Sequence, residues 1–327
     1  MIVLAWLIYI PLQLAWLPLT LLGAVWVAYK QVGVSRKLGL SQTAVEVLNG
    51  RWTGDRFGLR PDPASRRLAA HLPNNSVIGL SIALFPLWVA KQVAGRPFLY
   101  PLLPDDEACG LASIFIARSR RFDSLIANHT AEVQQLVILG AGYDTRCYGD
   151  LAAQGLVLFE LDQSADQRAK CAALKRAGLS TDHVHFIEVD FSDPQWIKAL
   201  TASAYDPSLK TIFLWEGVTL YLSEADVRAT LTLLKAHSAN GSVVLLDLYS
   251  MGTIALLNRG ASGRTLEATG EGLKFGLDFS TDAEVVLTGF ASSAHYALGT
   301  HYFLGSATKN GAFMVVAEMG VGGTLHA

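Results

Sequence analysis

Apolar and polar positions along the chain follow two different rhythms. From Met1 to Tyr29 no residue is charged, and Lys30 closes the run. That exceeds the roughly 20 apolar residues needed to cross a bilayer, and Trp6, Tyr9, Trp16, Trp26 and Tyr29 include aromatics of the kind found near membrane interfaces. A basic n-region and a small-residue cleavage site are both missing, so the stretch reads as a retained anchor and not as a signal peptide. Pro11 and Pro18 are expected to kink it. A second apolar run, Val77–Ala90, is 14 residues long, short for a span and suited to a re-entrant or interfacial segment.

Beyond Leu102–Glu107, read as a hinge, the rhythm changes. A helix of about twenty residues passes through Ile114, Phe115, Phe122, Leu125 and Ile126. Short aliphatic runs then alternate with helical stretches. Strands are expected at Gln135–Leu139, Leu156–Leu161, His185–Val189, Thr211–Trp215 and Ser242–Leu248, with helices over Ala165–Arg176 and from Ser223 to about His237. Ser223 followed by Glu224 and Asp226 is a sound helix start. Such alternation predicts an α/β fold with a mostly parallel sheet covered on both faces. Two further strands, near Ser292–Phe303 and Ala312–Glu318, predict an antiparallel C-terminal hairpin. The expected organisation is an anchor over 1–30, a basic cytoplasmic loop and lid region with the short apolar segment over 31–105, and a catalytic domain over 106–327.

Charge sharpens this division. Residues 1–105 hold 10 Lys/Arg against 4 Asp/Glu, and the remainder 16 against 24. Basic residues beside apolar runs point to an anionic membrane surface and away from nucleic acid, and the basic loop places the catalytic domain on the cytoplasmic side. Cys109, Cys147 and Cys171 form no C-x-x-C pair, which argues against a zinc site or a disulfide framework.

The chemistry concentrates at strand ends. Val137–Arg146 reads V-I-L-G-A-G-Y-D-T-R: a buried strand breaking into Gly140, Ala141 and Gly142, with Asp144 following. Two glycines allow a tight turn and close approach of a ligand, and a helix after the turn would offer free N–H groups. The next strands end in Asp162, Asp190 with Phe191, and Glu216. Ligands in open α/β sheets bind beyond the carboxyl ends of the strands, so these groups should share one crevice. Asp162 lies 20 residues past Gly142, where an acid can accept from a ribose diol. A nicotinamide dinucleotide and S-adenosylmethionine both remain candidates. Thr145 in place of a third glycine, and the lack of any Tyr-x-x-x-Lys, weigh against the former. A membrane-tethered binding module without catalysis is the non-enzymatic alternative.

The motifs V-I-L-G-A-G-Y-D-T-R, F-E-L-D-Q, V-D-F and E-G-V-T-L-Y-L, in this order, resemble those of the leucine carboxyl methyltransferase family. Its members are class I S-adenosylmethionine-dependent O-methyltransferases with a Rossmann-like sheet. Arg118–Asp123, R-S-R-R-F-D, is similar to the family's R-T-R-F-x-D helix, and Arg60-Pro61-Asp62-Pro63 is a weaker echo of its N-terminal segment. The resemblance implies S-adenosyl-L-methionine as cofactor, with Gly140 and Gly142 facing its methionine part and Arg118, or else Arg120, its carboxylate. It implies Asp162 for the ribose hydroxyls, Asp190 and Phe191 for the adenine, and Glu216 near the methionine end with Tyr221 beside it. An ionised carboxylate acceptor needs no base, whereas a hydroxyl would, and Glu216, His295 or His301 could serve. No N-P-P-Y/F stretch follows the fourth strand, so oxygen is the expected acceptor atom. An anchored enzyme of this class is expected to act on a lipophilic small molecule beside membrane lipid.

Overall fold

The computed structural model describes residues 1–308 and 311–322. The N-terminal helices are α1 (Ile2–Ala28), continued through a π-turn at Tyr29–Val34, then α2 (Ser35–Leu38), α3 (Gln42–Arg56), α4 (Pro63–Ala69) and α5 (Val77–Ala94). After α6 (Ile114–His129) come β1 (Gln135–Leu139), β2 (Val157–Asp162), α7 (Ser164–Arg176), β3 (Val184–Glu188), α8 (Trp196–Thr201), β4 (Thr211–Trp215), α9 (Glu224–Ala236) and β5 (Val243–Tyr249). The tail holds α10 (Met251–Leu257), α11 (Gly260–Ala268), α12 (Ala283–Ser293), β6 (Ala297–Leu304) and β7 (Met314–Gly320).

The strands form one seven-stranded sheet in the order β3-β2-β1-β4-β5-β7-β6. β1 to β5 pair in parallel, and β7 runs antiparallel between β5 and β6. β1, β4 and β5 are buried at every position, as expected for parallel strands sandwiched by helices. The order switches between β1 and β4, so the crevice opens at their carboxyl ends, where α/β sheets hold ligands. Local signals behave as read: Ser223 and Asp226 form a capping box on α9. One expectation fails. No α-helix follows the glycine turn, only 3-10 turns at Arg146–Tyr148 and Asp150–Ala153. Thr145 and Arg146 are drawn into hydrogen bonds with other segments instead of continuing a helix.

The N-terminal third is also arranged differently from the expectation. Two helices are long and apolar enough to cross a membrane by length and composition, the helix from Ile2 and α5. They pack antiparallel. A Cβ on Gly23 would come 2.7 Å from the Gly79 carbonyl, Trp16 donates to the Ile82 carbonyl at 3.0 Å, and the Trp16 and Phe85 rings meet at a tilt, 4.8 Å between centroids. The opposite face of α5 lies on the domain: Val77, Leu80 and Leu84 pack on the cluster of Val45, Leu48 and Trp52, and Trp88 meets Arg56 at 4.8 Å. Contacts at 77, 80, 84 and 88 follow the helical period along the length of α5. α5 is therefore held from both sides and is not a free re-entrant segment; α1 is the outermost layer. Nor is Leu102–Glu107 a hinge between independent parts, because Asp106 and Glu107 accept backbone hydrogen bonds from Gly305 and Ala307 beyond β6.

Candidate active site

The strand ends of β1, β2 and β4, roofed by the start of α3 and by α6, enclose a cavity of about 650 Å³. That lies within the range of small-molecule sites. Gly140, Ala141, Gly142, Asp144, Asp162, Asp190, Phe191, Glu216, Tyr221 and Arg118 all line it. Gly140 has φ +67°, and a Cβ there would meet Val218 Cγ2 at 2.4 Å, so only glycine fits the turn. Ala141 and Gly140 both donate their N–H to the Leu161 carbonyl, locking the turn against β2. The Asp162 carboxylate accepts from the Gly142 N–H at 2.5 Å and the Gln163 N–H at 2.7 Å. Burial pushes its pKa up, while those two N–H donors act to lower it. Asp190 is exposed and accepts from Ser192, and Phe191 packs edge-on against Trp196.

Below this rim lies a buried layer of charge. Glu216 accepts from Arg146 at 2.6 Å, from Arg51 and Arg118 at 3.1 Å, and from Ser119 at 3.2 Å. Burial alone would raise its pKa, but the Arg146, Arg51 and Arg118 guanidiniums prevail and hold it at about 2. Glu216 is therefore a fixed anion, unsuited to take a proton. Asp144 binds Arg51 at 2.8 Å and Arg146 at 2.5 Å. It too is held low: its burial is outweighed by those two arginines. Arg118 also reaches Asp247 at 3.2 Å and the Tyr249 hydroxyl at 2.6 Å.

The motifs meet in one outer cluster. Arg60 binds Asp62 and Asp123, each at 2.6 Å. Arg146 reaches Asp123 at 2.7 Å, and the Thr145 hydroxyl donates to Asp62 at 2.9 Å. R-P-D-P, R-S-R-R-F-D and D-T-R thus clamp one another, and their outer residues build the scaffold behind the crevice.

Three expected site residues lie elsewhere. Arg120 is exposed on the side of α6 away from the cavity, since two residues along a helix turn the side chain about 200° from Arg118. His295 is exposed in the turn before β6. β6 runs parallel to β1–β5, so that turn sits at the opposite edge of the sheet from the crevice. His301, within β6, pairs with Glu284 at 2.9 Å and lies outside the cavity wall as well.

Residues not anticipated come from the lid. Arg51 of α3 is 3% exposed, lines the cavity, and has two guanidinium nitrogens, Nε and Nη1, without partners. No sequence signal separated it from the other arginines of the basic loop. Glu271 seats its carboxylate over the start of α3, accepting from Ser41 at 2.5 Å, Thr43 at 2.6 Å and the Gln42 N–H at 3.1 Å. Nothing in the sequence links residues so far apart.

These residues fit S-adenosylmethionine. The glycine turn leaves backbone approach that a Cβ would fill, Asp162 keeps lone pairs for a diol, and the orphaned N–H groups of Arg51 suit a carboxylate. Comparison with known sequences agrees. The profile described as leucine carboxyl methyltransferase matches residues 101–235. A provisionally named S-adenosyl-L-methionine-dependent methyltransferase of Streptomyces coelicolor is 34% identical over 190 residues, covering 55% of this chain and 66% of that protein. A similarly named Streptomyces avermitilis protein is 35% identical over 53% of this chain and 64% of its own length. The chain thus spans a little under two thirds of these relatives' lengths. A solved magnesium protoporphyrin IX methyltransferase from Synechocystis shares 10% identity over 64% of this chain and 85% of its own, with a TM-score of 0.42. The match to the leucine carboxyl methyltransferase profile over residues 101–235 takes in the glycine turn and three of the strand-end acids, Asp162, Asp190 and Glu216.

Proposed function

We propose that the protein is an O-methyltransferase whose acceptor is a lipophilic small molecule, taken up at a membrane surface on which α1 lies. The observation that carries this reading is a second cavity of about 470 Å³ between the α1/α5 hairpin and the lid. Ala24 and Val27 of α1, Leu80 and Leu84 of α5, and Phe115 of α6 form apolar walls. It shares Gln31, Glu46, Leu111 and Phe115 with the strand-end crevice, so the two spaces adjoin. Apolar burial, at about 25 cal/mol per Å², would supply most of the acceptor's affinity.

The membrane part rests on α1. Leu7, Leu14, Leu21, Leu22, Val25 and Trp26 are exposed on its outer side. A row of that length exceeds the scattered apolar residues normal on a soluble surface. Exposed Arg36 and Lys37 follow at its end, where anionic headgroups would meet them. Because α1 lies along α5 and α5 along the domain, the layer suits a helix in the interface plane.

In the reaction the cofactor supplies an electrophilic methyl group. The chain's part is placement. The glycine turn admits the cofactor, Asp162 accepts from its diol, and Arg51 with Arg118 supplies cationic donors for its carboxylate. Glu216 and Asp144 keep those arginines oriented. The walls of the second cavity exclude water around the acceptor.

Calorimetry checks the cofactor part: Asp162→Asn should weaken S-adenosylmethionine binding by about 1–3 kcal/mol. Mass spectrometry of lipid extracts incubated with the enzyme and isotope-labelled cofactor checks the acceptor part, with label expected on oxygen of a lipophilic product. Label only in water-soluble products would sink the lipophilic reading.

A further inference from the structure

Glu46 stands at the junction of the two cavities, on the inner face of α3. Its carboxylate makes no hydrogen bond or ion pair with any described residue, whereas Asp144, Glu216, Asp247 and Glu271 are all engaged. One turn further along α3, Asn49 is 8% exposed, borders the apolar chamber, and leaves its Oδ1 without a partner. The buried Asn49 carbonyl is costly unless something polar meets it, and Glu46 beside it is exposed at the junction, open to a ligand.

We propose that the acceptor is a hydroxyl compound, a phenol, enol or alcohol with an apolar body, and that Glu46 is the base that takes its proton. This rests on the methyltransferase reading above and narrows it. The apolar body fills the chamber, and the hydroxyl donates its one hydrogen to the Glu46 carboxylate at the inner end, beside Asn49. As the acceptor oxygen forms its bond to the methyl carbon, the carbon–sulfur bond breaks and the electron pair stays on sulfur. The hydroxyl proton passes to the Glu46 carboxylate and leaves to solvent after release of product. Positive charge lost at sulfur is balanced by the proton gained at Glu46.

The charges facing Glu46 agree. Burial pushes its pKa up and Glu271 pushes it further, while Arg118 on α6 draws it down; Tyr100, across the chamber wall, feels Glu46 as a neighbouring charge. A carboxyl raised above its usual range is a better base. A carboxylate acceptor would instead bring a second anion into apolar surroundings next to Glu46, and like charges so placed disfavour binding strongly. Glu216 cannot take this role, being held ionised among three arginines, and His295 lies at the far edge of the sheet.

Two ligands of similar size test this on the full chain without cofactor: hexylphenol and octanoate, measured by calorimetry. The wild type should bind hexylphenol at least about tenfold more tightly than octanoate, and Glu46→Gln should remove most of that preference by improving octanoate. Leu84→Trp, which fills the chamber, should weaken both. On acceptor phenols, kcat/KM of the wild type should fall as pH drops through the raised Glu46 value, and Glu46→Gln should lose that limb along with most of the rate. Equal binding of the two ligands by the wild type would overturn the proposal. So would an unchanged preference in Glu46→Gln, no binding of either ligand, or affinities untouched by Leu84→Trp. Capture of hexylamine ahead of hexylphenol would make Glu46 a counter-ion and overturn the base role. A chain that fails to bind S-adenosylmethionine yet keeps the ligand preference would break the methyltransferase reading alone.

Discussion

The two cavities are neighbours built on opposite principles. The strand-end crevice is floored by interlocked charges: Arg51, Arg118 and Arg146 against Asp144, Glu216 and Asp247, each buried and each in an ion pair, with only Arg51 Nε and Nη1 among these charges left open. The chamber beneath the hairpin is walled largely by aliphatic and aromatic side chains; its buried Asn49 Oδ1 has no partner, and the exposed Glu46 carboxylate makes no ion pair with a described residue. A paired buried network gives a rigid, pre-oriented site for a polar ligand. An unpaired one waits for its partner. Under the function proposed above, the crevice takes a cofactor of fixed shape and the chamber an apolar molecule with one polar point.

The comparison breaks most readily at Glu216. Glu216→Ala leaves three buried guanidiniums facing one another, and stability by chemical denaturation should fall by about 3–5 kcal/mol. A loss below about 1 kcal/mol would mean that water reaches these arginines and that the crevice floor is not the dry network described.

The hairpin should fail separately. A Cβ on Gly23 would come 2.7 Å from the Gly79 carbonyl, so Gly23→Leu must part the helices, costing about 1–3 kcal/mol. Calorimetry should then show S-adenosylmethionine binding intact and hexylphenol binding lost. Joint loss of both would show that the cavities are one unit.

Acid provides a third contrast, because the two glutamates shift in opposite directions. Glu216 is depressed from 4.5 to about 2, so its ionised form stabilises the fold above the usual value, and that stability is lost as pH falls from 4.5 through about 2. Glu46 is raised, so its ionisation weakens the fold as pH climbs from the usual value through the raised one. Urea midpoints across pH should therefore show a steep acid limb that Glu216→Gln flattens. Glu46→Gln should raise the midpoint at neutral pH. A lowered midpoint there would mean that Glu46 has a partner.

The smallest effect belongs to Asp190. It is exposed, and among the described residues its carboxylate is bonded only to Ser192. Asp190→Asn should change stability by under about 0.5 kcal/mol and weaken S-adenosylmethionine only a few fold. A larger stability loss would place Asp190 in the structural network and not at the rim.

Much of this arrangement was legible in local pattern. Buried parallel strands show as short aliphatic runs, and the polar residue ending each run marks the carboxyl edge, which brings Gly140, Asp162, Asp190 and Glu216 together once the sheet is parallel. The choice between Arg118 and Arg120 was present as well: Arg118 shares the helix face of Ile114, Phe122 and Leu125, all buried, and Arg120 does not. His295 was misplaced because a strand's run of residues does not reveal which sheet edge its preceding turn occupies.

What only the tertiary structure decided is who meets whom. An apolar run such as Val77–Ala90 reads the same whether it faces lipid, a domain or another helix, since periodicity reports which residues avoid water and not what replaces it. The state of Glu216 likewise depends on Arg51, 165 residues away in sequence. Its neighbours gave no sign that it would be a fixed anion and not a base. Local sequence set the strands, the turns and the chemistry available at each end. The pairing of buried charges, and the chamber left between hairpin and lid, arose from packing, because electrostatic partners and void space are properties of distances across the fold.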